Sequence, residues 1–167
     1  MPTPPNGWMP REQWDALVRG EACPLCQELE SPFQVNAYGA TIAGLPMSRL
    51  RLASNQFVPG YCVLICSHHV QEPYHLSRSA CLQFFADMTL TAQALEHVFQ
   101  PIKMNFQLLG NAVPHLHAHI VPRYYGDPAP GRPIDPGIGT LELTAEARDM
   151  RVQAIRAALT MFATAGV

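Results

Sequence analysis

Charged side chains are scarce in this sequence. Asp, Glu, Lys and Arg make up only 14% of its 167 residues, and 13 acidic against 11 basic residues give a formal net charge of −2. Because the chain has no excess of positive charge, it has no strongly basic surface to attract the phosphate backbone of DNA or RNA. We therefore expect no nucleic-acid polymer as a partner. A small anionic ligand is still compatible with this composition, because local donors can bind one without net positive charge.

Long apolar runs are absent as well. No stretch approaches the roughly 18 residues that a membrane-spanning helix needs, and the proline-rich start MPTPPNGWMPREQW lacks the apolar core of a signal peptide. We therefore expect a soluble, cytoplasmic protein with no membrane partner. The sequence also lacks the serine-hydrolase elbow, the phosphate-binding loop and the dinucleotide-binding glycine motif, so the enzyme classes that use them lose support.

An even set of cysteines, as a secreted disulfide framework requires, is missing too. The chain has five cysteines. Cys62 and Cys66 lie in a predicted strand, where four residues span about 13 Å. A disulfide needs Cα atoms within about 7 Å, so these two cannot pair with each other, and we interpret them as small core residues.

Periodicity and turn residues divide the chain into short elements. Proline at the start and Gly20 at the end favour a short helix over 10–20, in which Trp14, Leu17 and Val18 share a face. EACPLCQELE is expected to be a loop. Strands are predicted over 47–54, 61–67, 102–110 and 115–123, helices over 77–100 and 142–165, and a Pro- and Gly-rich loop over 126–140.

The long predicted helix and the strands around it define the fold class. Ser77 is its N-cap candidate, and Pro101 ends it. Its apolar residues at helical period are Leu82, Phe85, Met88, Leu95 and Val98. Thr144 is the cap candidate of the last helix. Several strands around one long helix predict an α+β fold: an antiparallel sheet, the long helix packed on it and a C-terminal helix, in one domain over 1–167 with 1–22 as an N-terminal arm and short helix.

Three of the seven histidines occupy alternate positions in NAVPHLHAHIVPRY. Side chains at i, i+2 and i+4 of a strand point to one face, so His115, His117 and His119 line one face while Leu116 and Ala118 line the other. A half-buried strand that carries histidines by chance is the bland interpretation. Three like side chains would repel one another if charged, which favours a use for them: a metal, an anion or chemistry.

Metal binding alone does not account for all three rings. A His-x-His pair on a strand can hold zinc, but the three positions span about 13 Å end to end. Three nitrogens cannot all reach one ion at about 2.0–2.1 Å from such a row. At least one histidine is therefore free for another role.

The segment resembles the histidine triad (HIT) family, whose pattern is His-φ-His-φ-His-φ-φ. HLHAHIV fits it with one deviation, the small Ala118 at a hydrophobic position. PGYCVLICSHHVQEPYHLS and KMNFQLLGN are similar to the upstream parts of the family pattern, so the likeness runs from about Leu50 to Tyr124. Two positions depart from it: Cys66-Ser67-His68-His69 lacks a basic residue, and Asn111 stands where glutamine is common.

The resemblance implies an enzyme that hydrolyses or transfers nucleotides at an α-phosphate. It makes the middle histidine, His117, the nucleophile that forms a nucleotidyl-histidine. It makes His119 and Asn111 donors to the phosphate oxygens, with Asn105 as a further substrate-binding residue. The alternatives are a turn residue for Asn111 and a solvated strand residue for Asn105. For an apolar nucleoside slot the candidates are Leu50, Leu52 and Phe57, which equally fit core packing.

Cys23 and Cys26 form a C-x-x-C pair that, taken alone, is compatible with redox or metal use. A subset of proteins that resemble this one combines such a pair with an upstream histidine and the first triad histidine, here His69 and His115, in a structural zinc site. His68 is the competing ligand, and reduced cysteines without metal are the alternative. His75 and His97 are interpreted as surface or helix-face residues.

The likeness is greatest to bacterial dinucleoside-polyphosphate-hydrolase-like members of the family. It implies a diadenosine polyphosphate as the first substrate, nucleoside phosphoramidates as the second, and a homodimer. Two rivals stay open at this point: a zinc-stabilised nucleotide-binding protein with little turnover, and a thiol redox protein that uses Cys23 and Cys26.

Overall fold

The computed structural model describes residues 7–32, 34–135 and 137–164. The first six residues of the predicted N-terminal arm therefore lie outside the described residues. The helices are α1 (Arg11–Val18), α2 (Pro24–Glu30), α3 (Arg78–Phe99) and α4 (Ala145–Thr164), and the strands are β1 (Val35–Asn36), β2 (Gly39–Gly44), β3 (Ser48–Ala53), β4 (Cys62–Cys66), β5 (Lys103–Gln107) and β6 (His117–Arg123). A short 3-10 turn covers Pro73–His75.

The six strands form one antiparallel sheet in the order β1-β2-β3-β4-β6-β5. All four predicted strands are confirmed, and α3 and α4 confirm the two long helices. The register places Val63 between Arg51 and His119, and Ile65 between Arg49 and His117. Residues that share such a row across a sheet point to the same face, so the register decides what surrounds each histidine.

One face of the sheet packs on α3 and α4. Leu50, Leu52, Leu64 and Ile120 contribute buried side chains to the main hydrophobic core, which also includes residues of both helices: Phe84, Ala94, Leu95, Val152, Ile155, Ala158 and Leu159. Cys62 and Cys66 are fully buried there with free thiols, as predicted. The opposite face of the sheet packs on α2 and on the long loop after β6.

Three of the five predicted inward residues of α3, Met88, Leu95 and Val98, contact the core, and two do not. Leu82 and Phe85 are 63% and 37% exposed, whereas Phe84, Asp87 and Thr91 are buried. The prediction followed apolar residues, but apolar residues occur on more than one side of this helix. Asp87 and Thr91 are buried because their oxygens have partners: Thr91 donates to the Asp87 carbonyl, and the Asp87 carboxylate accepts from β3.

The ends of both long helices follow the predicted caps. The Ser77 hydroxyl accepts a hydrogen bond from the Ala80 backbone N–H at the start of α3, and Thr144 does the same for Ala147 at the start of α4. Gln100 closes α3 in the left-handed region, with φ 51°, just before Pro101. Side-chain capping therefore sets where both helices begin.

The CPLC segment is helical, so its prediction as a loop is wrong. Cys23 is the N-cap of α2, and Pro24 occupies the first turn, where its missing N–H costs no hydrogen bond. Seven residues are too few for a helix to form on local propensity. Burial of Leu25 against Val63 and Ile65 supplies the stabilisation that the sequence pattern did not show.

The Pro- and Gly-rich segment after β6 is an ordered loop held to the sheet by Arg123. This guanidinium forms an ion pair with Asp127 and also donates to the carbonyls of Ala129 and Arg132. Ala129 and Ile134 pack on Val58 and Val121 beneath them. The loop therefore forms a fixed wall beside the face of the sheet that bears the histidines.

Within the described ranges, no helix combines the length and the hydrophobicity needed to cross a bilayer.

The buried Asp87 carboxylate should be a main contributor to stability. It accepts hydrogen bonds from the Met47 backbone N–H at 2.8 Å, the Ser48 hydroxyl at 2.7 Å and the Gln83 amide at 2.9 Å. Asp87→Ala leaves the Met47 N–H and the Ser48 hydroxyl buried without a partner and should lower the free energy of unfolding by about 2–4 kcal/mol in urea denaturation. The matched control is Glu96→Ala on the exposed side of α3, for which we expect a change below about 0.5 kcal/mol. Equal effects of the two substitutions would contradict this role.

Candidate functional site: a histidine-lined cavity beside a Cys2His2 cluster

His117 presents one imidazole nitrogen to the open face of the sheet. Its Nδ1 lies 2.6 Å from the backbone carbonyl oxygen of His115. A carbonyl accepts only, so the ring carries its proton on Nδ1 and keeps the Nε2 lone pair free. Burial of the ring lowers the pKa of His117 below its usual value, the backbone contact to His115 opposes that shift, and the Arg51 charge lowers the pKa further. The neutral, nucleophilic form therefore predominates near neutral pH.

His119 is held by a residue that the sequence did not reveal, Tyr61. The Tyr61 hydroxyl oxygen lies 2.6 Å from His119 Nδ1, and the two rings stack with centroids 5.9 Å apart. Burial raises the pKa of Tyr61 to about 12, so the phenol keeps its proton. Burial and the neighbouring His117 and Arg51 charges lower the pKa of His119 to about 4. A neutral His119 whose Nδ1 accepts from Tyr61 carries its proton on Nε2, as a donor.

Both rings line a cavity of about 500 Å³ that contains groups of opposite chemical character. Leu25 and Val63 provide apolar wall, while Glu28 and Arg51 provide charge. This volume lies within the range typical of small-molecule sites. A free imidazole nitrogen and a neighbouring N–H donor at the wall of such a cavity can attack and stabilise an electrophilic centre.

The cavity includes one of the two predicted asparagines. Asn111 lies on its rim after Gly110, whose φ of +66° turns the chain toward the histidines. Asn105 lines a different cavity, where its side-chain oxygen accepts from Arg123. The register shows why: Asn105 pairs with Val121, whereas Gln107 pairs with His119. Among the β5 residues the structure thus brings Gln107, not Asn105, next to the triad.

The predicted nucleoside-slot residues are not in the cavity. Leu50 and Leu52 point to the helix side of the sheet, where they are 0% and 1% exposed. Phe57 packs against Gly139, at the base of the segment that precedes α4. Alternation places Arg51 and Ala53 on the cavity side of β3 instead. The prediction chose apolar residues of the right strand on the wrong face.

The four predicted metal ligands come together beside the cavity. His69 Nδ1 and His115 Nδ1 are 3.2 Å apart, Cys26 Sγ lies 3.2 Å and 3.4 Å from them, and Cys23 Sγ lies 3.5 Å from His115 Nδ1. All four ligand atoms lie within 4.8 Å of one another. Tetrahedral zinc with Zn–S of about 2.3 Å and Zn–N of about 2.0–2.1 Å requires ligand separations of about 3.3–3.8 Å. The cluster therefore has the dimensions of a tetrahedral metal site.

Hydrogen bonds behind the cluster orient both histidines for ligation. His115 Nε2 donates to the Cys66 carbonyl at 2.8 Å, and His69 Nε2 donates to the Val18 carbonyl at 3.1 Å. Each Nδ1 is consequently unprotonated and directed at the cysteines, which is how protein histidines are prepared for metal. Burial lowers the pKa of His115 to about 4, which keeps it neutral. His68, the competing ligand, is exposed and outside the cluster.

The thiol environment argues against a redox role for the C-x-x-C pair. Cys23 does cap a helix, contrary to the sequence-based expectation of a loop, and redox C-x-x-C pairs also lie at a helix start. Burial, together with the neighbouring Cys23 thiol, nevertheless raises the pKa of Cys26 to about 12. A cation at the centre of the cluster would supply the charge that two thiolates require.

Comparisons with known proteins give a family for the part of the chain that contains the three alternating histidines. The HIT domain model matches residues 36–126. "Protein hit" of Bacillus subtilis (strain 168) is 29% identical over 75 residues, 42% of this chain and 52% of that protein, so the chain spans about half the length of the curated relative that it matches.

Two solved structures illustrate the likeness of fold. A histidine triad protein from Marinobacter aquaeolei VT8 has a TM-score of 0.67 at 22% identity, over 78% of this chain and 98% of that one. A zinc-bound histidine triad family protein from Mycobacterium smegmatis has a TM-score of 0.60 at 22% identity, over 86% of this chain and 97% of that one. At these identities the structures show a common fold.

The Tyr61 contact should fix the tautomer of His119. In the wild-type protein we expect nitrogen NMR of the imidazoles to show His119 protonated at Nε2 only, because Nδ1 accepts from the phenol. Tyr61→Phe removes the donor and should give a mixture of tautomers, while His117, held by the His115 carbonyl, keeps its own. A His119 signal protonated at Nδ1 in the wild type would contradict the assignment.

Proposed function

The chain belongs to the HIT family, and we propose that it hydrolyses or transfers a nucleotide at its α-phosphate, with His117 as the nucleophile. The observation that carries the proposal is the hydrogen bond from His117 Nδ1 to the His115 carbonyl. It leaves the Nε2 lone pair facing a cavity large enough for a nucleotide. This supports the role that the family pattern assigns to the central histidine.

The proposed reaction has two displacements. In the first, His117 Nε2 forms a bond to phosphorus while the bond to the leaving group breaks, and the leaving group gains a proton. In the second, water forms a bond to phosphorus while the bond from phosphorus to His117 Nε2 breaks, and the nucleotide is released. The proton that this water loses balances the one that the leaving group gained. His119 Nε2–H and the Asn111 amide are the proposed donors to the phosphate oxygens as charge develops there.

A diadenosine polyphosphate is the proposed substrate, with nucleoside phosphoramidates as the alternative. Both present an α-phosphorus bonded to a nucleoside on one side and a leaving group on the other. A second cavity, bounded by Gln107, Ile134 and Asp135, adjoins His119 on the side away from His117. It provides room for a leaving group beside His119.

Zinc is the proposed occupant of the Cys23, Cys26, His69 and His115 cluster. Two sulfurs and two nitrogens are a closed ligand set without an open position, which is typical of structural sites. A zinc ion bound there would cross-link α2 to the segment just before β6. His115 would thus serve the metal, which leaves His117 and His119 for the substrate.

A homodimer is the proposed assembly, and the exposed end of the sheet supports it. β5 is an edge strand, so one side of its backbone has no strand partner among the described residues. Ile102, just before this strand, is 66% exposed, and Phe106 within it is 41% exposed. Leu82 on α3 is also exposed, at 63%. Exposed apolar side chains along an open edge favour pairing with a second chain.

Substitution of the proposed nucleophile should abolish turnover. His117→Ala should reduce the release of AMP from diadenosine polyphosphates and AMP-amides by about 10³-fold or more, because no other group can form the covalent intermediate. Circular dichroism and metal content should remain unchanged, since His117 lies outside the cluster. His75→Ala, a substitution of an exposed histidine that does not line the cavity, is the control and should keep full activity.

Retention of activity by His117→Ala would overturn the mechanism. Retained affinity for AMP with no turnover in the wild-type protein would favour a zinc-stabilised nucleotide-binding protein instead. Trapping of a nucleotidylated His117 by mass spectrometry would exclude that rival.

Removal of one proposed zinc ligand should cost both metal and stability. Cys23→Ser replaces a thiolate by a weaker ligand and should lower the zinc content from about one equivalent per chain to a small fraction. The midpoint of thermal unfolding should fall to that of chelator-treated wild type. Cys81→Ser, outside the cluster, is the matched control. An unchanged zinc stoichiometry in Cys23→Ser would count against the site.

A further inference from the structure

Helix α2 contributes residues to both the Cys2His2 cluster and the histidine-lined cavity. Cys23 at its N-cap and Cys26 in its first turn belong to the cluster. Pro24, Leu25 and Glu28, which alternate with and follow these cysteines, line the cavity. A change in the position of this one helix would therefore alter both sites at once.

The C-terminal end of α2 is held by two arginines of β3. The Arg49 guanidinium donates to the backbone carbonyls of Leu29 and Ser31, each at 2.9 Å, and also to that of Glu28. The last carbonyls of a helix lack partners within it, so a cation placed there caps the helix. Arg51 forms an ion pair with the Glu28 side chain. This end of α2 is thus fixed to the sheet without any contribution from a metal.

The N-terminal end of α2 is held in a different way. Its N-cap side chain makes no hydrogen bond to the first turn. Leu25 packs on Val63 and Ile65, and both cysteine sulfurs approach the Nδ1 atoms of His69 and His115. A thiol is only a weak hydrogen-bond donor. These sulfur–nitrogen contacts therefore hold the helix start firmly only with a metal ion at their centre.

A helix of seven residues is not stable by itself, so its population depends on what holds its two ends. Leu25 and both cluster cysteines pack in or against a small group of apolar residues on the cavity side of the sheet. The larger core of α3 and α4 lies on the other side and does not include them. Loss of metal should therefore loosen α2 and leave the two long helices folded.

The cavity loses one wall whenever α2 is not formed, because Leu25 and Glu28 leave it together. A ligand that fills the cavity touches this wall and so favours the formed helix. The cluster also reaches the triad through His115, whose Nδ1 faces the cysteines and whose carbonyl accepts the hydrogen bond from His117 Nδ1 at 2.6 Å. Fixing His115 through a metal thus also fixes the group that orients the proposed nucleophile.

We infer that metal binding at the cluster and nucleotide binding in the cavity strengthen each other, with α2 as the element that connects them and Arg49 as its metal-independent anchor. The inference rests on the proposed function, since it takes a nucleotide to occupy the cavity. Such coupling is reciprocal: the factor by which zinc tightens nucleotide binding equals the factor by which the nucleotide tightens zinc binding. The supply of zinc would thereby regulate the affinity of this protein for its substrate.

Two titrations of the wild-type, full-length protein test the coupling. Calorimetry gives the affinity for AMP before and after removal of zinc with a chelator, and competition with a chromophoric chelator gives the affinity for zinc with and without saturating AMP. We expect each ligand to tighten binding of the other about tenfold, by the same factor in both directions. Equal affinity for AMP in the two metal states would overturn the inference.

Hydrogen exchange of the backbone amides locates the change and needs no nucleotide. Removal of zinc should accelerate exchange over residues 25–31 about tenfold or more, while residues 84–95 of α3 keep their protection. Unchanged exchange in α2, or acceleration over the whole chain, would overturn the assignment to this helix.

A substitution at Arg49 tests whether α2 has two anchors. Arg49→Met releases the last turn, so a smaller fraction of metal-free molecules has α2 formed, and the coupling factor should rise threefold or more. Arg49→Lys, which keeps the charge and loses the forked donor, should raise it less and serves should Arg49→Met not fold. Arg78→Met, an exposed arginine at the start of α3, is the matched control and should keep the wild-type factor. A wild-type factor in both Arg49 variants would overturn the role of this residue.

Failure of the coupling can be distinguished from failure of the proposed function. AMP binding of equal strength with and without zinc overturns the coupling alone. Absence of AMP binding in the zinc-loaded protein overturns the proposed function and the coupling together, even where zinc slows exchange in α2.

Discussion

The antiparallel pairing of β4 with β6 is the constraint on which the site depends. It places His119 beside Val63 and His117 beside Ile65. Just before β6, the backbone brings His115 against the end of β4, where its Nε2 donates to the Cys66 carbonyl. A shift of one residue in this register would turn His117 and His119 into the helix-side core and expose Ala118 and Ile120. The buried apolar residues of both strands make such a shift unfavourable.

That pairing also divides the work of three chemically identical side chains. Each histidine has one nitrogen engaged: His115 with the Cys66 carbonyl, His117 with the His115 carbonyl and His119 with the Tyr61 hydroxyl. The remaining nitrogen of His115 faces the cysteines, and those of the other two are left for a ligand. Burial lowers the pKa of all three rings. Neutral rings can share one small region without the repulsion that three cations would cause.

The low charge content of the chain fits this arrangement. Within the described cavity the main fixed charges are those of Glu28 and Arg51, which compensate each other. The proposed recognition of a phosphate would therefore depend on N–H donors such as His119 Nε2 rather than on a strong positive field. Such directional contacts depend on fixed geometry, and the buried Asp87 network, the Arg123-anchored loop and the Cys2His2 cluster all hold the surrounding backbone in place.

The sequence alone determined the parts that are local and periodic. Alternation in HLHAHIVPR indicated the strand of the triad, and Ser77 and Thr144 indicated the helix starts. The grouping of Cys23, Cys26, His69 and His115 followed from the family pattern. These features rest on φ/ψ preference, side-chain period and motif spacing, which a linear sequence records. Strand β2 went unpredicted because GATIAG lacks polar alternation and its two β-branched residues, Thr41 and Ile42, lie among glycine and alanine.

Only the tertiary structure decided what each residue faces. It made a helix of the CPLC segment through the burial of Leu25, set Gln107 rather than Asn105 beside His119, and chose Arg51 over Leu50 and Leu52 for the cavity wall. It also produced two contacts between positions that are distant in the sequence. Tyr61 and His119 are 58 residues apart, and Glu28 and Arg51 are 23 residues apart. Contacts of this kind depend on strand register and on packing between distant segments, and no short window of sequence encodes either.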